Sequence, residues 1–368
     1  MLIVLHAVER KRQKFLLDDE TVDTHHGVTH TISRASIYED CIELYKNSLS
    51  QVIHEYPFGI AYKNEKTIDT GGVSRDFFSA FWEVAYVKDF DSGSTYIPPV
   101  HHHADMSYYR VLGSILAHGF MSCGLLPNRL AFPVVACTLL GCDVIPDGIL
   151  VDSFIDYVSS YESSVFWEAL QFSKGLEVAF QPVLGESVLS ILSNMGCRDM
   201  PRPGNIKQLI LQVARYELVR KPLGALLSLH HGVPTEYHPF LSDLSVGDLH
   251  KLYQALNATP GSVIGMIKES NEMTSSQARV LGYLKTFIGN LNHQDLRNFL
   301  RFVTGSSVVI DKNISVTFNS LSGLARRPIS HTCSCTLELS VTYLTYPDFA
   351  EEFLTVLRSE VAWPMEAV

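Results

Sequence analysis

The stretch from Arg326 to Leu339 reads RRPISHTCSCTLEL, and its alternating pattern is typical of a β-strand. Because residues i and i+2 of a strand point to the same face, the sequence predicts that His331 and Cys333 share one environment. A cysteine thiolate is the attacking species in acyl and thioester chemistry, so Cys333 with its basic neighbours is a candidate nucleophile. Most lone cysteines are small buried hydrophobes, and a buried Cys333 is therefore the alternative.

The residues around this stretch predict a small α+β domain. Alternating segments that indicate strands read ISVTFNSL and TCSCTLELSVTY. Segments with helical periodicity read LGYLKTFIGNL and DLRNFLRFV, and a final helix begins at Pro347 with acidic residues in its first turn. The polar residues 268–277 have no apolar periodicity, which is typical of a linker between two bodies.

The part of the chain before residue 268 is predicted to be mostly helical. Helical segments are expected from Ser36 onward, at 107–142, 147–173, 206–229 and 246–258, with GIAYKN as a short strand. A turn with Gly71 and Gly72 precedes a helix from Ser74. Residues 1–29 are interpreted as an N-terminal extension.

Composition excludes several classes of protein. The net charge of −10 argues against a general nucleic-acid binder. Seven scattered cysteines without a CxxC pair predict neither a disulfide framework nor a structural zinc site, and favour a cytoplasmic or nuclear compartment. The uncharged residues between Arg110 and Arg129 are interpreted as buried helices, not as a membrane span. The three histidines at 101–103 are interpreted as part of a loop, so no metal and no cofactor is expected.

Four sequence blocks occur in a fixed order along the chain. They read DTGGVSRDFF at 69–78, YRVLG at 109–113 with Gly119, FLRFVTGSS at 299–307, and PISHTC at 328–333 followed by LEL at 337–339. In type and order these blocks resemble those of HECT-type ubiquitin-protein ligases. Among HECT ligases the chain resembles most the divergent, cell-cycle-associated PHD-finger type.

The resemblance implies the fold and the chemistry. It implies an α+β bilobal HECT fold with a large, mostly helical N-lobe at 30–271 and a small α+β C-lobe at 272–368, joined by a flexible hinge. The subdomain that binds the conjugating enzyme would cover about 151–225. Cys333 would carry ubiquitin as a glycyl thioester, with His331 and Thr332 in supporting roles. Asp69 and Arg75 either help to assemble the transfer site or form a turn cap and a structural ion pair.

The chain departs from the family pattern at several positions. Ser334 and Cys335 stand where the family usually has Phe and Asn, and Cys335 is either a resolving thiol or a buried residue. Met365 occupies the tail position at which family members use a Phe to support ubiquitin transfer. Phe166 and Trp167 are candidate contacts for the conjugating enzyme, with a place in the core as the alternative for both.

Three functions follow as hypotheses. The leading hypothesis is an active HECT-type ligase whose partners are ubiquitin, a ubiquitin-conjugating enzyme and a protein substrate, with neither nucleic acid nor membrane as a partner. The second is a catalytically impaired HECT-like binding scaffold, suggested by the altered tail and the contracted docking region. The third is a cysteine hydrolase that uses Cys333, for which the sequence offers no matching local signature.

Overall fold

The structure is a computed structural model, and it describes residues 2–18, 29–53, 58–65, 71–100, 105–172, 182–270 and 272–359. Within these ranges the chain is mostly helical with small sheets, which confirms the α+β class. The helices are α1 (Leu2–Asp18), α2 (Ile37–Val52), α3 (Gly72–Asp89), α4 (Met106–Cys123), α5 (Phe132–Leu140), α6 (Asp147–Tyr157), α7 (Ser160–Phe172), α8 (Pro182–Asn194), α9 (Ile206–Arg215), α10 (Leu223–His231), α11 (His238–Ser242), α12 (Val246–Leu256), α13 (Pro260–Met266), α14 (Ser275–Asn290), α15 (His293–Thr304) and α16 (Tyr346–Arg358). The strands are β1 (Thr29–Ile32), β2 (Gly59–Tyr62), β3 (Asp91–Ser92), β4 (Tyr96–Ile97), β5 (Ile267–Lys268), β6 (Ile314–Asn319), β7 (Ile329–His331) and β8 (Thr336–Ser340).

The chain forms two compact units. Unit 1 comprises Met1–Trp82, His118–Leu126 and Lys251–Val368, and unit 2 comprises Glu83–Ala117 and Pro127–His250. These units are defined by spatial proximity, whereas the lobe boundaries at 271 and 272 come from the resemblance. The lobe boundaries and the hinge therefore stay predictions.

Unit 2 is built around apolar helices. In α5 (sequence FPVVACTLL) every residue up to Leu139 is buried, which matches the uninterrupted apolar run. Phe154 of α6 packs against Phe166 of α7, with ring centroids 5.6 Å apart. A short antiparallel hairpin of β3 and β4 completes this unit.

The C-terminal part of unit 1 is a four-stranded sheet covered by helices. The strand order is β5-β6-β8-β7, with β5–β6 and β6–β8 parallel and β7–β8 antiparallel. Leu337 and Leu339 alternate inward from β8 and are buried, as a one-sided strand requires. Against the same core, Phe287 of α14 stacks on Phe353 of α16 with ring centroids 4.9 Å apart.

Helix α3 forms a buried ion network within unit 1. This helix begins at Gly72, the second glycine of the DTGGVSRDFF block. The carboxylate of Asp76 accepts hydrogen bonds from Arg34 Nη1 at 2.6 Å, from Arg301 Nε at 2.8 Å and from the Tyr62 hydroxyl at 2.9 Å. Burial alone raises the pKa of Asp76, but the two guanidinium groups outweigh it, so the pKa lies below its usual 3.8. The Asp76 carboxylate of α3 thus neutralises two cations, Arg34 just after β1 and Arg301 of α15.

Most predicted elements are present, with two changes of extent. The predicted helix from Ser36 is α2, the strand GIAYKN contains β2, and the predicted final helix is α16, whose N-cap Thr345 accepts from the Asp348 N–H. The predicted linker at 268–277 is partly helical, because Thr274 caps α14 from Ser275. The segment TCSCTLELSVTY, residues 332–343, is a strand only over Thr336–Ser340, so the strand prediction was wrong for residues 332–335 and 341–343.

Replacement of Asp76 by Asn should destabilise unit 1 by about 3–5 kcal/mol at pH 7, because it leaves two arginines without their buried carboxylate. The native carboxylate contributes fully above its usual pKa of 3.8, and its contribution is lost as the pH falls through the lower folded-state pKa. The difference between wild type and Asp76→Asn in urea unfolding should therefore shrink below pH 4.

Tyr62→Phe is the matched control, since it removes only one hydrogen bond, from an uncharged donor, to the same carboxylate and should cost about 1.5–3 kcal/mol, less than Asp76→Asn. Equal losses for the two variants, or a difference for Asp76→Asn that does not change with pH, would contradict the network.

Candidate active site

Cys333 lies in a tight turn at the end of a β-hairpin. Strand β7 ends at His331, which pairs with Thr336 at the start of β8, and residues 332–335 form the turn between them. The Ser334 hydroxyl donates to the His331 carbonyl at 3.2 Å and lies 2.9 Å from Thr336 Oγ1. Cys333 is partly exposed, Ser334 is exposed and Cys335 is buried. The turn therefore leaves Cys333 partly exposed at the surface of the hairpin.

The turn changes the expected relation between His331 and Cys333. Because Cys333 is outside the strand, the period-two reason for placing both side chains on one face does not apply to this pair, and their shared environment stays a prediction. His331 Nε2 lies 3.9 Å from the carboxylate of Glu338 on the neighbouring strand. Glu338 also accepts a hydrogen bond of 2.7 Å from the side-chain amide of Asn319. The supporting roles of His331 and Thr332 stay predictions.

Arg326, one of the two arginines just before β7 in the sequence, contacts the last helix, α16. Arg326 donates to Glu352 of α16 through Nε at 3.0 Å, and its guanidinium lies 4.7 Å from the ring centroid of Tyr343. The Tyr343 hydroxyl in turn donates to Glu352 at 2.9 Å. Arg326 thus fastens the segment before β7 to the last helix.

The arginine that contacts the turn is Arg75 of α3. Arg75 is buried, and its Nη2 donates to the Thr332 carbonyl at 2.9 Å, one peptide bond away from Cys333. Its Nε donates to the Thr304 carbonyl, also at 2.9 Å. Sequence reasoning left Arg75 open between a role in the transfer site and a structural ion pair. In the described part of the chain its guanidinium hydrogen bonds are to backbone carbonyls and, at 4.0 Å, to Cys335 Sγ.

The first turn of α3 packs directly against the Cys333 turn at Gly72. A Cβ atom at Gly72 would lie 2.8 Å from the Cys333 nitrogen, 2.9 Å from Cys333 Sγ and 2.9 Å from Thr332 Oγ1. Such distances are shorter than van der Waals contact, so a side chain at this position would displace the turn. The glycine of the DTGGVSRDFF block therefore allows α3 to approach the candidate nucleophile.

The FLRFVTGSS block meets the same turn of α3. Gly305 ends α15 with φ 74°, a conformation that favours glycine, and a Cβ atom there would lie 2.5 Å from the Gly72 carbonyl oxygen. The Ser307 N–H donates to the Ser79 hydroxyl of α3 at 3.2 Å. Three blocks that are far apart in sequence thus converge on Cys333.

Cys335 fills the inner side of the turn. It is 1% exposed, has φ 52°, and its Sγ lies 3.7 Å from the Thr332 carbonyl oxygen. Burial raises the pKa of the Cys335 thiol, and the charge of Arg75 opposes this only in part. A buried, protonated thiol is poorly suited to resolve a disulfide, so the packing role is the one that the structure supports.

The candidate docking residues are divided between core and surface. Phe166 is fully buried against Phe154, so it is a core residue and is not available for contact with a conjugating enzyme. Trp167, the next residue on α7, is 50% exposed. Met365, Asp69 and the three histidines at 101–103 lie outside the described residues. Within the described ranges no group of three or more His, Cys, Asp or Glu side chains is placed to hold a metal ion.

The chain matches no known protein-family model and no curated protein. The geometry of the site and the resemblance of the four sequence blocks are therefore the observations that bear on its function. None of the helices in the described ranges has the length and apolar character needed to cross a lipid bilayer.

Replacement of Gly72 by Ala should destabilise the protein by about 1–3 kcal/mol, because the new methyl group overlaps the Cys333 turn. Hydrogen–deuterium exchange in peptides that contain residues 329–336 should increase. Gly282→Ala is the matched control: Gly282 lies exposed in α14 with open space around its Cβ position, so the substitution should stabilise the helix by up to about 1 kcal/mol. A neutral effect of Gly72→Ala on both measurements would show that the close approach does not exist.

Proposed function

We propose that the protein is a HECT-type ubiquitin ligase that accepts ubiquitin from a conjugating enzyme as a thioester on Cys333 and transfers it to a lysine of a protein substrate. The observation that carries the proposal is the convergence of the DTGGVSRDFF and FLRFVTGSS blocks on a partly exposed Cys333. Most cysteines without a reactive role are small buried core residues. Cys333 instead lies in a partly exposed turn that contacts α3, which in turn contacts the end of α15.

The proposed chemistry is two acyl transfers through one covalent intermediate. In the first, the Cys333 thiol gives its proton to solvent, and the resulting thiolate attacks the carbonyl carbon of the thioester between ubiquitin and the conjugating enzyme. The thiolate of the conjugating enzyme leaves and takes up a proton from solvent. In the second, an uncharged lysine amine attacks the new thioester. An isopeptide bond forms, the Cys333 thiolate leaves, and the amine proton passes to solvent or to a nearby base. No external oxidant or reductant is needed.

His331 and Thr332 have supporting roles in this proposal. The carboxylate of Glu338, 3.9 Å from His331 Nε2, restricts the orientation of the imidazole when the imidazole is protonated. The carbonyl of Thr332 accepts the hydrogen bond from Arg75 that holds the turn. Neither residue is assigned the role of a general base.

The bilobal arrangement belongs to the same proposal. A C-lobe at 272–368 that moves on a hinge relative to an N-lobe at 30–271 would let Cys333 face first the conjugating enzyme and then the substrate. In this proposal the hydrogen bond from Arg75 to the Thr332 carbonyl holds the turn in one of the two positions and is released in the other. A cytoplasmic or nuclear compartment, where ubiquitin transfer takes place, is part of the proposal as well.

A catalytically impaired scaffold with the same fold is the second candidate. The burial of Phe166 favours it, because the predicted docking patch then keeps only Trp167 of its two named residues at the surface. Lysine ubiquitination by the purified chain with a charged conjugating enzyme would exclude the scaffold. Binding of a charged conjugating enzyme without transfer would support it.

Replacement of Cys333 by Ala should abolish the ubiquitin adduct that thiol reagents cleave, because the variant lacks the accepting sulfur. Cys333→Ser should lose the thiol-sensitive adduct in the same way. The measurement is a single-turnover reaction with labelled ubiquitin on a conjugating enzyme, read on gels with and without a thiol reagent. The matched control is Cys197→Ser, which removes another partly exposed cysteine and should leave the adduct unchanged. An adduct that persists in Cys333→Ala would remove this residue from the mechanism.

Trp167→Ala should raise the conjugating-enzyme concentration needed for half-maximal transfer about 10-fold, since exposed tryptophans are frequent hot spots of protein interfaces. Tyr216→Ala is the control, because Tyr216 is also 50% exposed and lies in the same unit. An equal response to the two substitutions would contradict a docking role specific to Trp167.

A further inference from the structure

We infer that Arg75 is a positioning residue for Cys333: its guanidinium holds the Thr332–Cys333 peptide in the orientation that presents the thiol. The contact between Arg75 and the turn does not depend on what the protein does. Its consequence for ubiquitin transfer rests on the proposed function.

The burial of Arg75 shows that the contact is specific. Only 6% of the residue is exposed, so its positive charge has lost nearly all contact with water. Removing a charged group from water is costly unless hydrogen bonds replace those of the solvent. The carbonyls of Thr304 and Thr332, each at 2.9 Å, supply such bonds. The guanidinium is therefore fixed in place, and it fixes both carbonyls in return.

The chemistry of the side chain explains why the residue is an arginine. The two carbonyls belong to the end of α15 and to the turn between β7 and β8, and they are reached by different nitrogens, Nε and Nη2. A planar guanidinium presents these donors in a fixed fork, whereas a lysine ammonium is a single point on a flexible stem. A lysine at position 75 would keep the charge but could not hold both segments in the same geometry.

The Thr332 carbonyl is the right place from which to control Cys333. The carbonyl carbon is bonded to the Cys333 nitrogen, and the peptide bond between them is planar. Fixing the carbonyl oxygen therefore fixes the direction of the Cys333 nitrogen and Cα, from which the thiol extends. Gly72 limits the same peptide from the side, because a Cβ atom on it would lie 2.8 Å from the Cys333 nitrogen and 2.9 Å from Sγ.

The turn needs this external support. Cys335 adopts φ 52°, a left-handed conformation that costs free energy for a residue with a side chain. Ser334 is exposed, and its hydroxyl bonds lie within the turn itself. Arg75 connects this turn to the end of α15. Without the Arg75 guanidinium, the turn should move away from α3.

Arg75→Lys in the full-length chain is the test, with Arg12→Lys as the matched control. Arg12 is also buried, at 4% exposure, and also donates to a backbone carbonyl in unit 1, that of Met121. Three measurements are made on each variant. They are thermal unfolding, the rate at which iodoacetamide alkylates Cys333 as resolved by peptide mass spectrometry, and single-turnover transfer of ubiquitin from a conjugating enzyme.

The expected result separates positioning from stability. Arg75→Lys should lower the maximal rate of thioester formation about 10-fold to 100-fold with little change in the half-saturating concentration, since a displacement of about 1 Å costs this much. Alkylation of Cys333 should become several-fold faster, because a turn that moves away from α3 no longer packs its Sγ against Gly72. Both variants should lower the melting temperature, and by similar amounts. Arg12→Lys should nevertheless leave the transfer rate and the alkylation rate within about two-fold of wild type. Arg75→Gln gives a second variant if Arg75→Lys does not fold.

Two results would overturn the inference. One is wild-type alkylation and transfer rates in a folded Arg75 variant; the other is an equal change in Arg12→Lys. If the wild-type protein forms no ubiquitin adduct, the proposed function fails, and alkylation alone decides the positioning role. In that case faster alkylation in Arg75→Lys but not in Arg12→Lys supports it, and unchanged alkylation overturns it.

Discussion

The hydrogen bonds from the buried guanidinium of Arg75 to the carbonyls of Thr304 and Thr332 are the interaction on which the candidate site depends. They join α3, the end of α15 and the turn that contains Cys333, three segments that are far apart in the chain. Because the charge is buried, these bonds cannot be exchanged for water without cost, and the geometry of the three segments becomes interdependent. The thiol is thus held by contacts outside its own hairpin.

The next residue of α3 performs a related task in another direction. Asp76 binds Arg34 and Arg301, so adjacent side chains of one helix turn connect α3 both to the Cys333 turn and to the ion network. The network includes α15 through Arg301, and Arg75 reaches the last residue of the same helix at Thr304. Helices α3 and α15 are therefore joined by two buried polar contacts, and the first turn of α3 has a firm support against which Cys333 can be placed.

Local sequence signals predicted the elements but not how they meet. The start of α16 next to Pro347, the apolar periodicity of α15 and the strand β8 follow from residue types and spacing. The turn at 332–335 was missed because it contains no Gly, Pro or Asn, and because its Thr and Cys residues fit a strand. Its left-handed residue, Cys335, is tolerated through packing that only the folded chain provides. The burial of Phe166 depends in the same way on Phe154, which belongs to another helix.

The most direct test of the proposed function is to locate, in the unmodified protein, the thiol to which ubiquitin becomes attached, if any. Free thiols are first blocked after a single turnover with a charged conjugating enzyme. The adduct is then cleaved, and the newly released thiol is labelled and mapped by mass spectrometry. The account predicts one ubiquitin per chain, with the label on Cys333. A label on any other of the seven cysteines, or the absence of an adduct while the conjugating enzyme remains charged, would contradict it.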